Sequence, residues 1–226
     1  MAQPIIEIKN LIKKFGDRTV LDGVHAVIPE GKITVIMGGS GCGKSTLLRH
    51  LIGLHRPTSG EVWVDGKNIA GLDEPGMNDV RKKFGMLFQG SALFNSMTVG
   101  ENVAVPLKEH TDLSPEIIRI IVRVKLELVG LTGFENFMPH EISGGMKKRV
   151  ALARAIALDP KIVFYDEPGA GLDPITASMI DRLILDLSKK LSITSVVVTH
   201  EMKSAFRIAD QIIILQKGKV LQVGTA

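Results

Sequence analysis

The chain has 226 residues, of which 45% are hydrophobic, and its 28 Lys and Arg outnumber its 24 Asp and Glu to give a formal net charge of +4. This length and apolar content suffice for one sizeable domain, or a core with a subdomain, and they exclude a disordered polar chain. The small positive charge fits a nucleic acid, an anionic membrane surface, a polyphosphate ligand or a generally cationic surface, so it does not select a partner.

The sequence has no feature of a secreted or membrane-spanning chain. Its start, MAQPIIEIKN, lacks an apolar stretch of secretory length, and its longest apolar runs are far shorter than the roughly 20 residues that cross a bilayer. Cys42 is the single cysteine, which excludes an internal disulfide and fits a reducing compartment. We therefore expect a cytosolic protein.

The apolar patterns predict two kinds of strand. Alternation in residues 5–10 and 61–69 predicts half-exposed antiparallel strands, and QIIILQKGKVLQV predicts a hairpin that turns at Lys217 and Gly218. We expect these segments to form an antiparallel β flank. Buried parallel strands are predicted by four short runs, ITVIM (33–37), FGMLF (84–88), KIVFY (161–165) and SVVVT (195–199). The predicted fold class is therefore α/β, with a mostly parallel core sheet.

Residues 90–159 differ from the rest of the chain. They contain helical patterns, such as PEIIRIIVRVKLELVGL, and no strong strand signal. We expect an inserted helical subdomain at 90–159 and a core made of 1–89 and 160–226, within one domain overall.

A glycine-rich segment, GGSGCGKST, follows ITVIM and precedes the helical pattern TLLRHLIGL. It matches G-x-x-x-x-G-K-[ST], in which backbone N–H groups surround phosphate oxygens, the lysine reaches the terminal phosphates and the hydroxyl binds Mg²⁺. These last two roles fall to Lys44 and Ser45; the alternative is a glycine-rich turn and nothing more. The predicted nucleotide-binding residues are Gly38, Gly39, Ser40, Gly41, Cys42, Gly43, Lys44, Ser45 and Thr46.

Polar side chains follow the other three apolar runs. Asp166 and Glu167 come at the end of KIVFYDE, His200 follows SVVVT, and Gln89 follows FGMLF. Ligands bind beyond the carboxyl ends of parallel strands, so we expect these side chains near the glycine-rich loop. Asp166 suits Mg²⁺ binding, and Glu167 can polarise a water for attack on a γ-phosphate. Each residue alone also fits a solvated turn or a structural role, but their common position predicts ATP hydrolysis.

Recognition of the base is less defined. Phe15 could stack on adenine or belong to the core, and the residues leave both interpretations open. The sequence has no N-K-x-D segment for reading guanine, which disfavours a small GTPase.

The segment ISGGMKKR, residues 142–149, predicts a second anion-binding helix start. Ser143 can cap the helix, Gly144 and Gly145 expose N–H groups, and the three cations at 147–149 are tolerable at a helix N-terminus if an anion docks there. The alternative is a capped helix with a solvated cationic turn. Two phosphate-binding helix starts could close on one nucleotide within a chain, or on two nucleotides between chains.

These segments, together with GLDP at 171–174, resemble the ATP-binding subunits of ABC transporters over essentially the whole chain. The resemblance implies a homodimer in which each ATP lies between one phosphate loop and the partner's SGG segment, with 171–173 joining the two sites. It also implies that Phe15 stacks on adenine, that Gln89 links Mg²⁺ to the helical subdomain, and that Ser143, Gly144 and Gly145 hold the nucleotide. The implied catalytic residues are Lys44, Gln89, Glu167 as base and His200 at the γ-phosphate, and the implied metal-binding residues are Ser45, Gln89 and Asp166.

The chain departs from the usual family pattern at two positions. Met146 stands where most members have glutamine, and Ile142 where most have leucine. Because Ser143 and the glycine backbone supply the groups that hold phosphate, we expect the glutamine amide to be dispensable for that role.

A longer stretch, VRKKFGMLFQGSALFNSMTVGENVAVPLKEHT, with SGGM and ARAIALDPKIVFYDEP, is similar to the ATPases of Mla-type systems, which serve MCE-type lipid transporters. This similarity implies an ATPase that powers phospholipid transport between inner and outer membranes. It further implies that the protein attaches peripherally to the cytoplasmic side of the inner membrane through an integral permease. The other implied partners are an MCE-type substrate-binding protein and a small accessory regulator, and no nucleic-acid partner is implied.

Two alternatives remain open, an ABC transporter ATPase for another substrate and a soluble ABC ATPase that is not coupled to transport. A small-molecule kinase would give no reason for SGGM, GLDP and His200.

Overall fold

The computed structural model describes residues 4–226 as two sheets with helices packed around them. Residues 1–3, which belong to the predicted core segment 1–89, lie outside the described residues. The strands are β1 (Pro4–Phe15), β2 (Arg18–Pro29), β3 (Ile33–Met37), β4 (Ser59–Val64), β5 (Lys67–Asn68), β6 (Phe84–Leu87), β7 (Ile162–Asp166), β8 (Thr194–Thr199), β9 (Gln211–Gln216) and β10 (Lys219–Gly224). The α-helices are α1 (Lys44–Leu51), α2 (Glu74–Arg81), α3 (Val99–His110), α4 (Pro115–Leu128), α5 (Gly144–Ala155), α6 (Pro174–Leu191) and α7 (Met202–Ile208).

The smaller sheet is antiparallel, with strand order β2-β1-β4-β5. Ile6 pairs with Ile28 on one side and Val64 on the other, and all three side chains are buried. The first strand and the segment 61–69 thus contain antiparallel strands, as their alternating patterns predict, since one face of each strand packs on the core. The strand β2 was not predicted from the sequence.

The larger sheet has strand order β10-β9-β3-β8-β7-β6, and all its strands except β10 run parallel. The hairpin at Lys217 and Gly218 forms as predicted, but its predicted place in the antiparallel flank is wrong. β9 pairs in parallel with β3, at Ile213 and Ile36, so the hairpin extends the core sheet and only β10 is antiparallel there. The α/β fold class with a mostly parallel core sheet is confirmed.

The short apolar strands do not alternate because both faces of the core sheet are covered. Val35, Val163 and Val197 point into one apolar cluster together with side chains of α3 to α7. Ile36 and Phe164 point into a second cluster on the opposite face, shared with α1 and the antiparallel sheet. A strand buried on both faces is therefore a nearly continuous run of apolar side chains.

The chain between β6 and β7 is helical and contains α3, α4 and α5. Thr98 and Glu101 form a reciprocal capping box at the start of α3, and Ser114 caps α4 ahead of Pro115. The division of the chain into a core and a helical subdomain at 90–159 stays a prediction. No helix in residues 4–226 has both the length and the apolar character required to cross a membrane.

Candidate functional site

The carboxyl ends of four adjacent strands meet at one edge of the core sheet. β3 and β8 are in register at Met37 and Thr199, β7 and β8 are in register at Asp166 and Val198, and β6 pairs in parallel with β7. The residues that leave these strands therefore emerge together, as expected at the ligand-binding edge of an open parallel sheet. They are the loop 38–46, Gln89, Glu167 and His200.

Glycine is required at two positions of the loop 38–46 by close approach of neighbouring atoms. A Cβ at Gly38 would lie 2.2 Å from the Leu215 carbonyl oxygen. Gly43 has φ of 110°, and a Cβ there would lie 2.9 Å from Leu21 Cδ2. The loop thus packs tightly against β9 and β2, and this support fixes the start of α1 at Lys44.

The Lys44 ammonium is held by the loop itself. Its Nζ donates to the carbonyls of Gly38 at 2.7 Å and Gly39 at 3.1 Å, and the residue is buried. Because Lys44 opens α1, its charge stands beside free N–H groups of that helix start. The loop therefore concentrates positive potential and N–H donors, which is the chemistry that binds phosphate.

The Glu167 carboxylate is fixed by two neighbours on the adjacent strand end. His200 Nδ1 lies 2.9 Å from Glu167 Oε1, and Thr199 Oγ1 donates to Oε2 at 3.2 Å. Glu167 itself adopts φ of 47°, a left-handed conformation that is uncommon for residues other than glycine and that often marks functional sites. The hydrogen bond to Glu167 raises the pKa of His200 above its usual range.

Asp166 has a carboxylate oxygen that accepts no hydrogen bond from the described residues. Its Oδ1 is buried and has no hydrogen-bond partner within the described part of the chain. Burial and the neighbouring Glu167 raise the pKa of Asp166, while the charges of Arg49, Lys148 and Lys44 act in the opposite direction. A further cation near Asp166 would relieve both the unpaired oxygen and the cost of the buried charge.

The segment ISGGMKKR forms a capped helix start, as its sequence predicts. Ser143 precedes α5, and its hydroxyl accepts a hydrogen bond from the Met146 N–H at 3.3 Å. The alternative of a solvated cationic turn does not fit two of the three cations. Lys148 is buried and donates to the Gln89 carbonyl, and Arg149 donates to the Gly130 carbonyl beyond the end of α4. These cations satisfy carbonyl groups, which explains their tolerance at a helix N-terminus without any bound anion.

The same helix holds the loop that follows β6. Arg154 donates to the carbonyls of Ser91 at 2.8 Å and Ala92 at 2.7 Å, and both of these residues have positive φ. Lys148 binds the same loop at Gln89, whose side chain is exposed. The position of Gln89 thus depends on α5, the helix that carries Ser143, Gly144 and Gly145.

The start of α5 also packs against the start of α6. A Cβ at Gly145 would lie 2.5 Å from Thr176 Cγ2, and one at Gly144 would lie 3.7 Å from Leu172 Cδ2. Thr176 cannot turn away freely, because its Oγ1 donates to Asp173 Oδ2 at 2.5 Å. The two glycines therefore permit contact with the loop at 171–173.

Phe15 lies at the end of β1 and is 47% exposed, so it is not a core residue. The Lys13 ammonium stands 4.9 Å from the centre of its ring, and the His55 ring meets it edge to face at 5.8 Å. Of the two interpretations that the sequence left open, only an exposed aromatic platform fits this environment.

Three contacts at the site were not predicted from the sequence. Thr199 contacts Glu167, Lys148 contacts Gln89, and His55 packs on Phe15. Thr199 could have been identified as the last residue of a strand that pairs with the strand carrying Asp166. The other two contacts join distant parts of the chain, and no local pattern indicates them.

Comparison with known proteins gives a consistent result. Residues 21–170 match the family described as ABC transporter. The chain is 47% identical, over all of its 226 residues and 86% of the relative, to the intermembrane phospholipid transport system ATP-binding protein MlaF of Haemophilus influenzae. It is 43% identical, over 97% of the chain and 63% of the relative, to a probable ribonucleotide transport ATP-binding protein, mkl, of Mycobacterium leprae.

Among solved structures, the fold is similar to the ATP-binding cassette MJ0796, determined as a dimer in a post-hydrolysis state with ADP and Pi. The TM-score is 0.88 at 36% identity, and the similarity covers 97% of this chain and 98% of that one.

Proposed function

Because the chain belongs to the ABC transporter family and is an ATP-hydrolysing subunit of such a transporter, we propose that it powers phospholipid transport between inner and outer membranes and so maintains lipid asymmetry of the outer membrane. The observation that carries the ATPase chemistry is the convergence of Lys44, Asp166, Glu167 and His200 at the ends of adjacent strands. The phospholipid substrate is supported by the 47% identity to a phospholipid transport ATP-binding protein.

In this proposal the loop 38–46 binds the phosphates of ATP. Its N–H groups and the start of α1 surround the phosphate oxygens, and Lys44 exchanges the carbonyls of Gly38 and Gly39 for the terminal phosphates. Phe15 stacks on the adenine, for which its exposed ring is available.

Magnesium fits the site by the chemistry of its donors. Asp166 offers a buried oxygen with no partner, and in residues 4–226 no group of three His, Cys, Asp or Glu side chains could hold a metal alone. We propose that Ser45, Gln89 and Asp166 hold Mg²⁺ together with phosphate oxygens, as this ion prefers. When bound, the ion neutralises charge that develops on the phosphates during transfer.

Glu167 acts on the attacking water. Its carboxylate is oriented by Thr199 and His200, so it can accept the water's proton at a fixed position. His200 is exposed at the same edge, and in its protonated form, which Glu167 favours by raising the pKa of His200, it can donate to the γ-phosphate from its other ring nitrogen.

The second half of each site comes from a second copy of the chain. Ser143 and Gly144 are exposed at the start of α5, where N–H groups are available to an anion. Closure of two chains on two ATP molecules would bring each SGG segment to the partner's phosphates. The relative MJ0796 is a dimer.

A permease contact is proposed beside the loop that holds Gln89. A cavity of about 490 Å³ opens there, lined by the loop and by α3 and α5, and Phe88 and Phe94 are 40% and 49% exposed at its rim. A membrane partner that inserts a segment into this cavity would contact Arg154 of α5 and the loop residues Phe88 and Ala92 on either side of Gln89. The MCE-type protein and the small regulator remain proposals from the Mla-type resemblance.

A second candidate function is favoured by one finding. The 43% identity to a probable ribonucleotide transport ATP-binding protein approaches the identity to the phospholipid transport proteins. In that case the same ATPase site would serve a permease for another substrate.

Purification from native membranes separates these functions. The tagged chain is isolated with its membrane partners, which are identified together with any bound phospholipid by mass spectrometry. We expect an integral permease, an MCE-type protein and phospholipid. Phe94→Asp should release the permease, whereas Val223→Asp, at a similarly exposed apolar side chain on β10, should retain it. Recovery of a permease without MCE-type protein or phospholipid would contradict the lipid assignment, and recovery of soluble partners alone would contradict the transporter.

A further inference from the structure

We propose that His55 is a positioning residue for the Phe15 ring and thereby sets the affinity of the chain for the adenine base of ATP. This inference rests on the proposed function, in which Phe15 stacks on the base. It adds a residue that lies outside the glycine-rich loop and outside the strand ends where the phosphates bind.

The Phe15 ring is held on two sides and open elsewhere. It stands at the tight turn between β1 and β2, where Phe15 pairs with Arg18. The His55 ring packs against it with ring planes 79° apart and centroids separated by 5.8 Å. This is the favoured T-shaped geometry of aromatic pairs, and Phe15 stays 47% exposed, so part of the ring remains accessible to a base. Without His55, the exposed ring would have more rotamers available and fewer of them suited to a base.

His55 is itself fixed to the helix that follows the phosphate loop. Its N–H donates to the Arg49 carbonyl at 3.1 Å, and its ring lies 5.7 Å from the ring of His50. His50 is 1% exposed, and its Nδ1 lies 2.7 Å from the carbonyl oxygen of Thr46. A continuous series of contacts therefore connects Thr46, in the first turn of α1, with the Phe15 ring.

Charge supports the same role. Burial, with Arg49 and Lys13, lowers the pKa of His55, so the ring is neutral near pH 7. A neutral ring can stand beside Lys13, whose ammonium lies over the Phe15 ring, without repelling it. Burial also lowers the pKa of His50, which keeps the second ring neutral.

The test separates base recognition from phosphate binding. Dissociation constants are measured by calorimetry for ATP and for tripolyphosphate, which has no base, with KM and kcat for ATP hydrolysis. His55→Ala should weaken ATP binding and raise KM about 3- to 10-fold, the range typical of aromatic pairs. Tripolyphosphate affinity and kcat should stay within about twofold. His55→Phe, which restores an aromatic ring, should recover ATP affinity, and His25→Ala on β2 is the matched exposed-histidine control.

Three outcomes would overturn the inference. ATP affinity unchanged in His55→Ala would remove the positioning role, and equal losses for ATP and tripolyphosphate would show a general structural role instead. Phe15→Ala with undiminished ATP affinity would refute the base platform of the proposed function itself. If His55→Ala folds poorly, His55→Gln and the double variant His55→Gln/Phe15→Ala replace it. The proposal requires that His55→Gln weakens ATP binding. It also requires that the double variant binds ATP no more weakly than Phe15→Ala alone.

Discussion

His200 Nδ1 lies 2.9 Å from Glu167 Oε1, so the residue that follows β8 holds the carboxylate that follows β7. The side chain of Glu167 is mostly buried, whereas that of His200 is 58% exposed. The pair therefore has one fixed member and one that remains accessible to a ligand. This arrangement suits a base whose orientation depends on a histidine that can also contact phosphate.

Replacement of the base should separate nucleotide binding from hydrolysis. We expect Glu167→Gln to bind ATP and Mg²⁺ while turnover falls by about a hundredfold or more, since it removes general-base catalysis. The variant should then accumulate as a closed dimer with ATP, detectable by light scattering. Glu30→Gln, at an exposed turn, is the control. Undiminished turnover in Glu167→Gln would exclude Glu167 as the base.

The same pair predicts a titration shift. The hydrogen bond and charge of Glu167 raise the pKa of His200, so NMR of the imidazole should give a value above 6.5, and Glu167→Gln should bring it back toward 6.5. A raised folded-state pKa means that the pair stabilises the fold below pH 6.5 and that this contribution disappears as the pH rises through the raised value. An unshifted His200 that is insensitive to Glu167→Gln would refute the pair in solution.

Replacing Met146 by glutamine, the usual residue at this position in the family, should change ATP turnover little. Met146 is half-buried against the apolar cluster that contains α5, and its N–H is bound by Ser143. We expect Met146→Gln to keep ATP turnover within about tenfold, a barrier change of roughly 1.4 kcal/mol. Ser143→Ala, which removes the helix cap and a proposed phosphate ligand, should reduce turnover more. A larger loss in Met146→Gln than in Ser143→Ala would reverse this assignment.

Contact between α5 and α6 predicts that the effect of Gly145→Ala on the free energy of unfolding changes sign when Thr176 is also replaced. Gly145→Ala places a Cβ 2.5 Å from Thr176 Cγ2, and this overpacking should lower the free energy of unfolding by about 1–3 kcal/mol in urea. Thr176→Ser keeps the hydroxyl that binds Asp173 but removes the methyl. In the Thr176→Ser background, Gly145→Ala should be neutral or stabilising, because alanine favours a helix over glycine by about 1 kcal/mol. Additive losses would contradict the contact.

Much of the core could be predicted from the sequence, because strands covered on both faces are nearly continuous apolar runs. ITVIM, apart from Thr34, and IVFY follow this rule, and the polar site residues come at or just after their carboxyl ends. The glycine-rich loop was predicted from its motif between a strand and a helix. The structure adds a reason for two of its glycines, since a Cβ at Gly38 or Gly43 would collide with neighbouring atoms.

Other features depend on pairing between distant segments, which no local pattern encodes. The hairpin β9–β10 would have the same apolar pattern in either sheet, and only its pairing with β3 places it in the larger one. From the sequence, Lys148 and Arg149 were assigned to an anion-binding helix start or to a solvated turn, and neither interpretation includes their contacts with the carbonyl groups of Gln89 and Gly130. The roles of the site residues and the boundaries of the helical subdomain remain predictions.

The central claim is that ATP hydrolysis by this chain moves phospholipid, and transport in reconstituted vesicles tests it most directly. The complex purified from native membranes is placed in vesicles with the ATPase outside, and transfer of labelled phospholipid to an acceptor is followed with ATP and Mg²⁺. The wild-type chain should transfer phospholipid only with ATP, and Glu167→Gln should abolish transfer while retaining ATP binding. Equal phospholipid transfer by both chains, or ATP-dependent movement of ribonucleotides with none of phospholipid, would contradict the account.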